Sequence, residues 1–221
     1  MLMRFQAWEP VYQEILDDFG FTRHRDEEGA VLLSRLLCSC SVQEDVLNEL
    51  SEILRDESVV VCGNAPSLAK ELADLTSVSC KGPEKYVFIA ADGATTTLLS
   101  AGIIPEVIVT DLDGNVEDIL KANRSGSLVV VHAHGDNLDA LERYVPRFGR
   151  ALGTCQCRPP EGLFNFGGFT DGDRCVFLAR HFGAGCIRLV GFDFSDKSVT
   201  PRKSKKLAWA RRLIRMAMDE K

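Results

Sequence analysis

Asp111 and Asp113 stand directly after a short apolar run, Val107 to Thr110, and are followed by Gly114 and Asn115. Side chains at i and i+2 project together where a strand end stays extended. Two carboxylates that close repel each other unless a cation lies between them. Oxygen donors of this kind suit Mg²⁺, which keeps some waters and takes further ligands from phosphates. Asp92, followed by Gly93, ends a second apolar run, Tyr86 to Ala91, and is the expected third ligand. The structural alternative is a helix cap at Asp113 with Asp111 solvated.

Three further clusters are chemically suggestive. Gly63-Asn64-Ala65-Pro66-Ser67 joins an apolar run to a helical pattern. Its glycine permits close approach to a ligand, its proline suits a first helical turn, and Ser67 can cap the helix or hold an anion. The segment lacks the glycines and lysine of a Walker A loop or a dinucleotide fingerprint. His132-Ala133-His134-Gly135-Asp136-Asn137 follows another run. Its histidines could bind a transition metal, act as acid and base, or donate to phosphate. The scarcity of soft ligands nearby favours phosphate or nucleophile contacts over zinc, with helix capping by Asp136 or Asn137 as the structural alternative. In Phe164-Asn165-Phe166-Gly167-Gly168-Phe169-Thr170-Asp171-Gly172-Asp173-Arg174, rings beside glycines suit a flat polar heterocycle, whose edge Asn165 could satisfy. Asp171 and Asp173 open a helix, where the dipole favours carboxylates. At least one of them is expected to work in the site.

These residues need a scaffold that brings them together. From Ser58 onward, short apolar runs alternate with helical patterns: Val59–Cys62, Tyr86–Ala91, Val107–Thr110, Leu128–Val131, Ala151–Cys155 and Ile187–Val190. Continuously apolar runs imply a sheet covered on both faces, and strand–helix repetition implies parallel strands with right-handed crossovers. The expected fold is α/β, a mostly parallel Rossmann-like sheet with helices on both faces. In such sheets ligands gather at the carboxyl ends of the strands, where Asn64, Asp92, Asp111, His132 and, after Gly191, Asp193 all fall. Residues 1–56 show helical periodicity, with Phe5, Trp8, Val11, Tyr12, Ile15 and Leu16 on one face. They are read as a helical N-terminal cap without recognisable chemistry, ahead of an α/β catalytic domain over 57–221.

The 221 residues are 45% hydrophobic and 26% charged, an ordinary globular balance. No apolar run spans a membrane and no signal segment opens the chain, so a cytoplasmic protein is expected. Its eight cysteines are then expected to be reduced, with Cys62, Cys175 and Cys186 as small core residues. The pairs Cys38/Cys40 and Cys155/Cys157 are poorly spaced for zinc. Net charge is −6, but Lys197 to Lys221 carries nine Lys/Arg against Asp219 and Glu220, a net +7, leaving −13 on the remainder. That distribution does not fit a duplex-DNA binder. The basic tail can reach phosphates held by the acidic body, or simply pack its apolar stripe, Leu207, Ala210, Leu213, Ile214 and Ala217.

At Ala90-Ala91-Asp92-Gly93-Ala94, Pro105 through Asp111-Leu112-Asp113-Gly114, Phe169-Thr170-Asp171 and Gly183 through Gly191, the chain resembles the thiamin pyrophosphokinase catalytic fold. With the segments at Gly63–Ser67, His132–Asn137 and Asn165–Phe169 included, it is more similar to the archaeal 6-hydroxymethyl-7,8-dihydropterin pyrophosphokinases (MptE-like). The resemblance covers roughly Ser58 to the end. It implies ATP- and Mg²⁺-dependent transfer of diphosphate to a pterin hydroxymethyl group, with release of AMP, on a route to tetrahydromethanopterin or folate-like cofactors. The implied partners are ATP and a pterin alcohol, with no nucleic acid or membrane; a homo-oligomer is compatible with it. Asp92, Asp111 and Asp113 would position the metal on the phosphates, and Asp171 or Asp173 would bind a second cation or orient the hydroxyl. Gly63, Asn64 and Ser67 would hold the nucleotide, and Lys203 and Lys206 would close over the polyphosphate. Gly93, His132, His134, Asp136, Asn137, Asn165, Phe166 and Asp193 complete the expected lining. Asp111-Leu112-Asp113-Gly114 departs from the Asp-Phe-Asp-Ser of the thiamin enzymes, which argues against thiamin. A nucleotide-sugar glycosyltransferase using the same Asp-x-Asp pair, and a non-catalytic nucleotide-binding module, are the competing readings.

Overall fold

Six short runs dominated by Val, Ile, Leu and Ala become strands: β1 (Ser58–Cys62), β2 (Tyr86–Ala91), β3 (Val107–Thr110), β4 (Leu128–Ala133), β5 (Ala151–Cys155) and β6 (Cys186–Val190). The computed structural model describes residues 5–37, 40–78 and 85–219, without the side chains of 40–43 and 77–78. All strand pairs are parallel, in the order β5-β4-β3-β2-β1-β6. β1, β3, β4 and β5 are buried almost throughout, as expected for a sheet covered on both faces. The edge strand β6 is half-exposed. Cys186 at its start is therefore exposed rather than in the core, while Cys62 and Cys175 are buried as expected.

The chain steps sideways from β1 to β5 through α4 (Leu68–Val78), α5 (Ala94–Ser100), α6 (Val116–Arg124) and α7 (Leu138–Tyr144). Right-handed crossovers place these helices on one face. The return from β5 to β6 reverses direction, so α8 (Asp171–His181) crosses the opposite face over β1, β2 and β3. α9 (Pro201–Asp219) packs on α8, burying Trp209, Ala210, Leu213, Ile214 and Ala217. The reversal falls between β1 and β6, which makes their carboxyl ends the topological switch point.

α1 (Phe5–Phe19), α2 (Arg23–Leu36) and α3 (Cys40–Leu54) precede the sheet. α2 packs on β4 and β5, and α3 on β5. Trp8 sets its edge against Phe177 of α8 at 6.2 Å between centroids and donates its indole N–H to the Gln156 carbonyl at 2.9 Å. Trp8, Tyr12 and Leu33 share one continuous core with the strands. α2 reaches the loop after β4 through two glycines. A Cβ on Gly29 would lie 2.9 Å from the His134 carbonyl oxygen, and one on Gly135 would lie 2.3 Å from the Arg25 Cβ. Among the described residues, no helix is long and apolar enough to cross a membrane.

Candidate active site

The loops that leave the strands at their carboxyl ends bring four carboxylates together. One oxygen from each of Asp92, Asp111, Asp113 and Asp171 lies within 4.8 Å of all the others. Asp171 enters from α8, so the cluster joins three segments. Asp111 and Asp113 do not converge because a strand end stays extended. β3 stops at Thr110, Leu112 turns into the left-handed region with φ 68°, and the Asp113 amide donates to Asp111 Oδ1 at 3.3 Å. A local Asx turn therefore aims the pair. The Leu112 side chain is buried and its amide donates to the Thr110 hydroxyl at 2.8 Å.

Electrostatics in the cluster are those of like charges forced together. Burial, reinforced by Asp113 and Asp111 and opposed by the Thr110 hydroxyl, pushes Asp92 up to about 6. Asp171 is driven well above the usual carboxylate range by burial and then by Asp111, with Arg174 opposing. Asp113 rises through burial and the neighbouring Asp111 charge. Asp111 goes the other way. Burial would raise it, but the hydrogen bond with His134 and the nearby Arg174 charge hold it at about 2. His134 Nε2 lies 3.2 Å from Asp111 Oδ2. The Asp136 amide donates to His134 Nδ1 at 3.2 Å, which leaves the neutral ring's proton on Nε2, facing Asp111.

This donor set fits a hard divalent cation. All four ligands are oxygens, as Mg²⁺ prefers. Asp171 Oδ1 and Asp92 Oδ1 are buried without a well-formed hydrogen bond, although the Gly114 amide leans toward Asp92. Among the described residues this is the one group of His, Cys, Asp or Glu side chains placed to close on an ion. The Cys155 and Cys157 thiols lie buried apart from it, and Cys157 Sγ contacts the Asp26 carbonyl at 3.8 Å. In the pair Cys38/Cys40, Cys38 and the Cys40 side chain lie outside the described residues.

Gly114 makes the cluster sterically feasible. A Cβ there would sit 1.7 Å from Asp92 Oδ1, and Asp92 cannot retreat, since its other oxygen accepts from Thr110 and its backbone is already at φ 30°. Gly114→Ala is expected to displace the carboxylate and lower turnover by about 10²-fold, the usual consequence of an ångström-scale misplacement. Steady-state kinetics beside an unchanged circular-dichroism spectrum would check it.

Two cavities open on the cluster. The first, of about 320 Å³, lies at the switch point and is lined by Gly63, Asn64, Asp92, Gly93, Asp193 and Lys203, together with Gly172 and Phe192. The second, of about 360 Å³, runs toward α2 and is lined by Phe21, Asp26, His134, Asp136, Gln156 and Arg174. Asp111, Phe169 and Lys206 line both. Most of the expected lining residues therefore fall on one or other wall.

Several do not. Ser67 is exposed just before α4 and outside both cavities. His132 belongs to β4 rather than to the loop after it; it is buried, with Nδ1 3.1 Å from the Thr154 hydroxyl. Asn137 ties the loop after β3 to the end of β4 instead of touching the cavities, donating to the Asp111 and His132 carbonyls at 2.8 Å each. Asp173 is fully buried and committed to a capping box, accepting from the Phe169 and Thr170 amides and the Thr170 hydroxyl. Asn165 donates to the carbonyls of Gln156 and Cys157 at 3.0 Å. Phe166 stacks on Phe164 and meets His181 and Phe182 in the core. Neither is placed to meet a heterocycle; Phe21 and Phe169, 6.5 Å apart, are the cavity's rings.

The N-terminal helices, expected to be chemically silent, supply Asp26. Its carboxylate accepts from the Tyr12 hydroxyl at 2.7 Å, from Gln156 Nε2 at 2.7 Å and from the Gly135 amide at 3.1 Å. Burial and that carboxylate raise the Tyr12 phenol well above its ordinary range. Gln156 Oε1 accepts in turn from Arg174 Nη2 at 3.2 Å, and Arg174 Nη1 lies 3.6 Å from Asp171 Oδ1. A buried polar chain thus connects α1 to the acidic cluster. The available signals were a charged residue inside the apolar stripe of α8, Arg174, and one on the packed side of α2, Asp26.

Residues 39–199 match the family model for 6-hydroxymethylpterin diphosphokinase, MptE-like. Three proteins named 6-hydroxymethyl-7,8-dihydropterin pyrophosphokinase are similar over nearly their whole length. That of Methanothermobacter thermautotrophicus is 44% identical, over 96% of this chain and 94% of its own. That of Pyrococcus furiosus is 42% identical, over 96% and 93%. That of Methanocaldococcus jannaschii is 38% identical, over 99% and 97%. The acidic rim of this parallel sheet is thus that of an enzyme family, and the chain belongs to the 6-hydroxymethylpterin diphosphokinase MptE-like family.

Proposed function

We propose that this protein transfers diphosphate from ATP to the hydroxymethyl group of 6-hydroxymethyl-7,8-dihydropterin, releasing AMP. The observation that carries the reading is the pair of cavities meeting at Asp111. A two-substrate transfer needs a donor pocket, an acceptor pocket and a charged junction between them. The switch-point cavity takes ATP, with its phosphates toward Lys203, Lys206 and the carboxylates. The cavity toward α2 takes the pterin, its ring against Phe21 and Phe169 and its polar edge toward the Asp26–Gln156 pair. Helices of 1–56 therefore complete the acceptor pocket, while 57–221 carries the donor site and junction.

Asp92, Asp111, Asp113 and Asp171 would hold Mg²⁺, which supplies charge neutralisation on the polyphosphate. The protein's share is alignment. The pterin hydroxyl oxygen approaches the β-phosphorus from the acceptor side, and an O–P bond forms as the bond from that phosphorus to the α-phosphate oxygen breaks; AMP leaves on the donor side and the hydroxyl proton passes to solvent. Lys206, common to both cavities, follows the charge that shifts between them. His134 keeps Asp111 ionised and oriented. The competent state is thus assembled before the substrates meet, in a cytoplasmic enzyme with no role for nucleic acid.

Incubation with ATP, Mg²⁺ and the pterin alcohol is expected to yield AMP and pterin diphosphate in equal amounts, dependent on all three components. Formation of ADP, or turnover of a nucleotide-sugar without AMP, would overturn the proposal.

A further inference from the structure

His132 is singled out by its sequence neighbourhood but takes no part in the scheme above. It is 2% exposed, inside β4. The Thr154 hydroxyl donates to the Val131 carbonyl at 3.0 Å, so its oxygen faces His132 Nδ1 as an acceptor. The proton of the neutral imidazole is therefore on Nδ1, and Nε2 presents a lone pair. That Nε2 is buried with no hydrogen-bond partner. Arg174, 7% exposed, has the complementary defect: its Nε–H, a donor, is also buried without a partner. Both residues line a small pocket of about 10 Å³ between β3, β4, β5 and α8. That volume is roughly one water-sized sphere, and two of the residues around it carry an unpartnered acceptor and an unpartnered donor. An unpaired buried polar atom is costly, and a single molecule bridging the two relieves both defects.

We propose that one buried water bridges His132 Nε2 and Arg174 Nε, making His132 a positioning residue that sets the guanidinium at the reaction centre. The other end of Arg174 faces the acceptor cavity, beside Asp111, with Nη2 on Gln156 and Nη1 near Asp171. A guanidinium held at Nε keeps both Nη groups in one plane, so the anchor deep in the sheet fixes what the substrates meet. The catalytic half of this inference rests on the diphosphokinase reading; the water site does not.

The test pairs two substitutions. His132→Asn keeps a donor for Thr154 but removes the acceptor facing Arg174, whereas His132→Gln restores a polar group near the Nε2 position. The Asn variant is expected to lose about tenfold in kcat, as supporting residues around a charged centre commonly do, with KM for ATP unchanged. The Gln variant is expected to recover most of that loss. In an Arg174→Lys background, which keeps the charge but lacks Nε, the Asn effect should shrink to less than about twofold, the non-additivity of a coupled pair. Independently of turnover, ¹⁵N chemical shifts should report the Nδ1–H tautomer with a hydrogen-bonded Nε2, and a high-resolution crystal structure should show one water in the pocket. A dry pocket, an Nε2–H tautomer, or additive losses in the double variant would overturn the proposal. A wild-type protein that makes no AMP would instead sink the diphosphokinase reading, and the shifts and density would still decide the water.

Discussion

Asp111→Ala is expected to lower kcat/KM by about 10³-fold or more, roughly 4 kcal/mol of transition-state stabilisation, without unfolding the protein. The reasoning comes from position. Among the described residues Asp111 is the one carboxylate that lines both cavities, so its loss removes a proposed cation ligand and the carboxylate partner of His134 together. Asp113→Ala should also abolish turnover, since it opens the same ring of oxygens. The stability outcome is the more discriminating part. In the cation-free protein the four carboxylates repel one another, and burial and mutual charge push Asp92, Asp113 and Asp171 up. Removing Asp113, the most accessible of the four, relieves that repulsion. Its variant should melt at the same temperature as the parent or higher when no divalent ion is present, and should gain less from added Mg²⁺. Thermal melts with and without the ion, beside steady-state rates, read both effects. A large fall in melting temperature for Asp113→Ala would mean that the cluster is structural.

Asp26→Ala is expected to act on folding and acceptor binding together. It strips the partner from the Tyr12 hydroxyl, the Gln156 amide and the Gly135 N–H. Orphaning a buried donor costs about 1–3 kcal/mol, and water entering from the adjacent cavity can rescue part of it. A net loss of about 3 kcal/mol is expected, or roughly 6–12 °C in melting temperature for a chain of this size. Catalytically, KM for the pterin should rise by about tenfold or more, as when a polar contact that orders a ligand edge is lost, while KM for ATP stays near the parent value. That asymmetry follows from the walls: Asp26 lines the cavity toward α2 and not the one at the switch point. Equal effects on both substrates would instead assign Asp26 to general stability.

These two sites differ in how far the sequence announces them. The acidic rim was legible because a parallel sheet sends every strand's carboxyl end to the same edge. Locating β2 and β3 from their apolar runs therefore already places Asp92 beside Asp111. The family resemblance, carried by motifs at successive strand ends, was legible for the same reason. The heterocycle wall was not. Phe166 and Phe169 look equivalent in sequence, yet the loop through Gly167 and Gly168 sends one ring into the core beside Phe164 and the other against Phe19 and Phe21. Asp171 and Asp173 stand two residues apart at the same helix start. The capping box takes Asp173, and Asp171 is left for the cluster.

By itself, then, the sequence determined the elements, the parallel α/β architecture and the edge where the chemistry lies, because short-range periodicity and strand polarity are local properties of the chain. Only the tertiary structure decided which polar side chains face a cavity and which are spent holding loops. Asp26 reaches Gly135 across 109 residues, and Gln156 receives Arg174 on another element. No spacing rule links such residues. The first meeting depends on α2 packing through glycines against the loop after β4, a long-range contact that exists only once the core has formed.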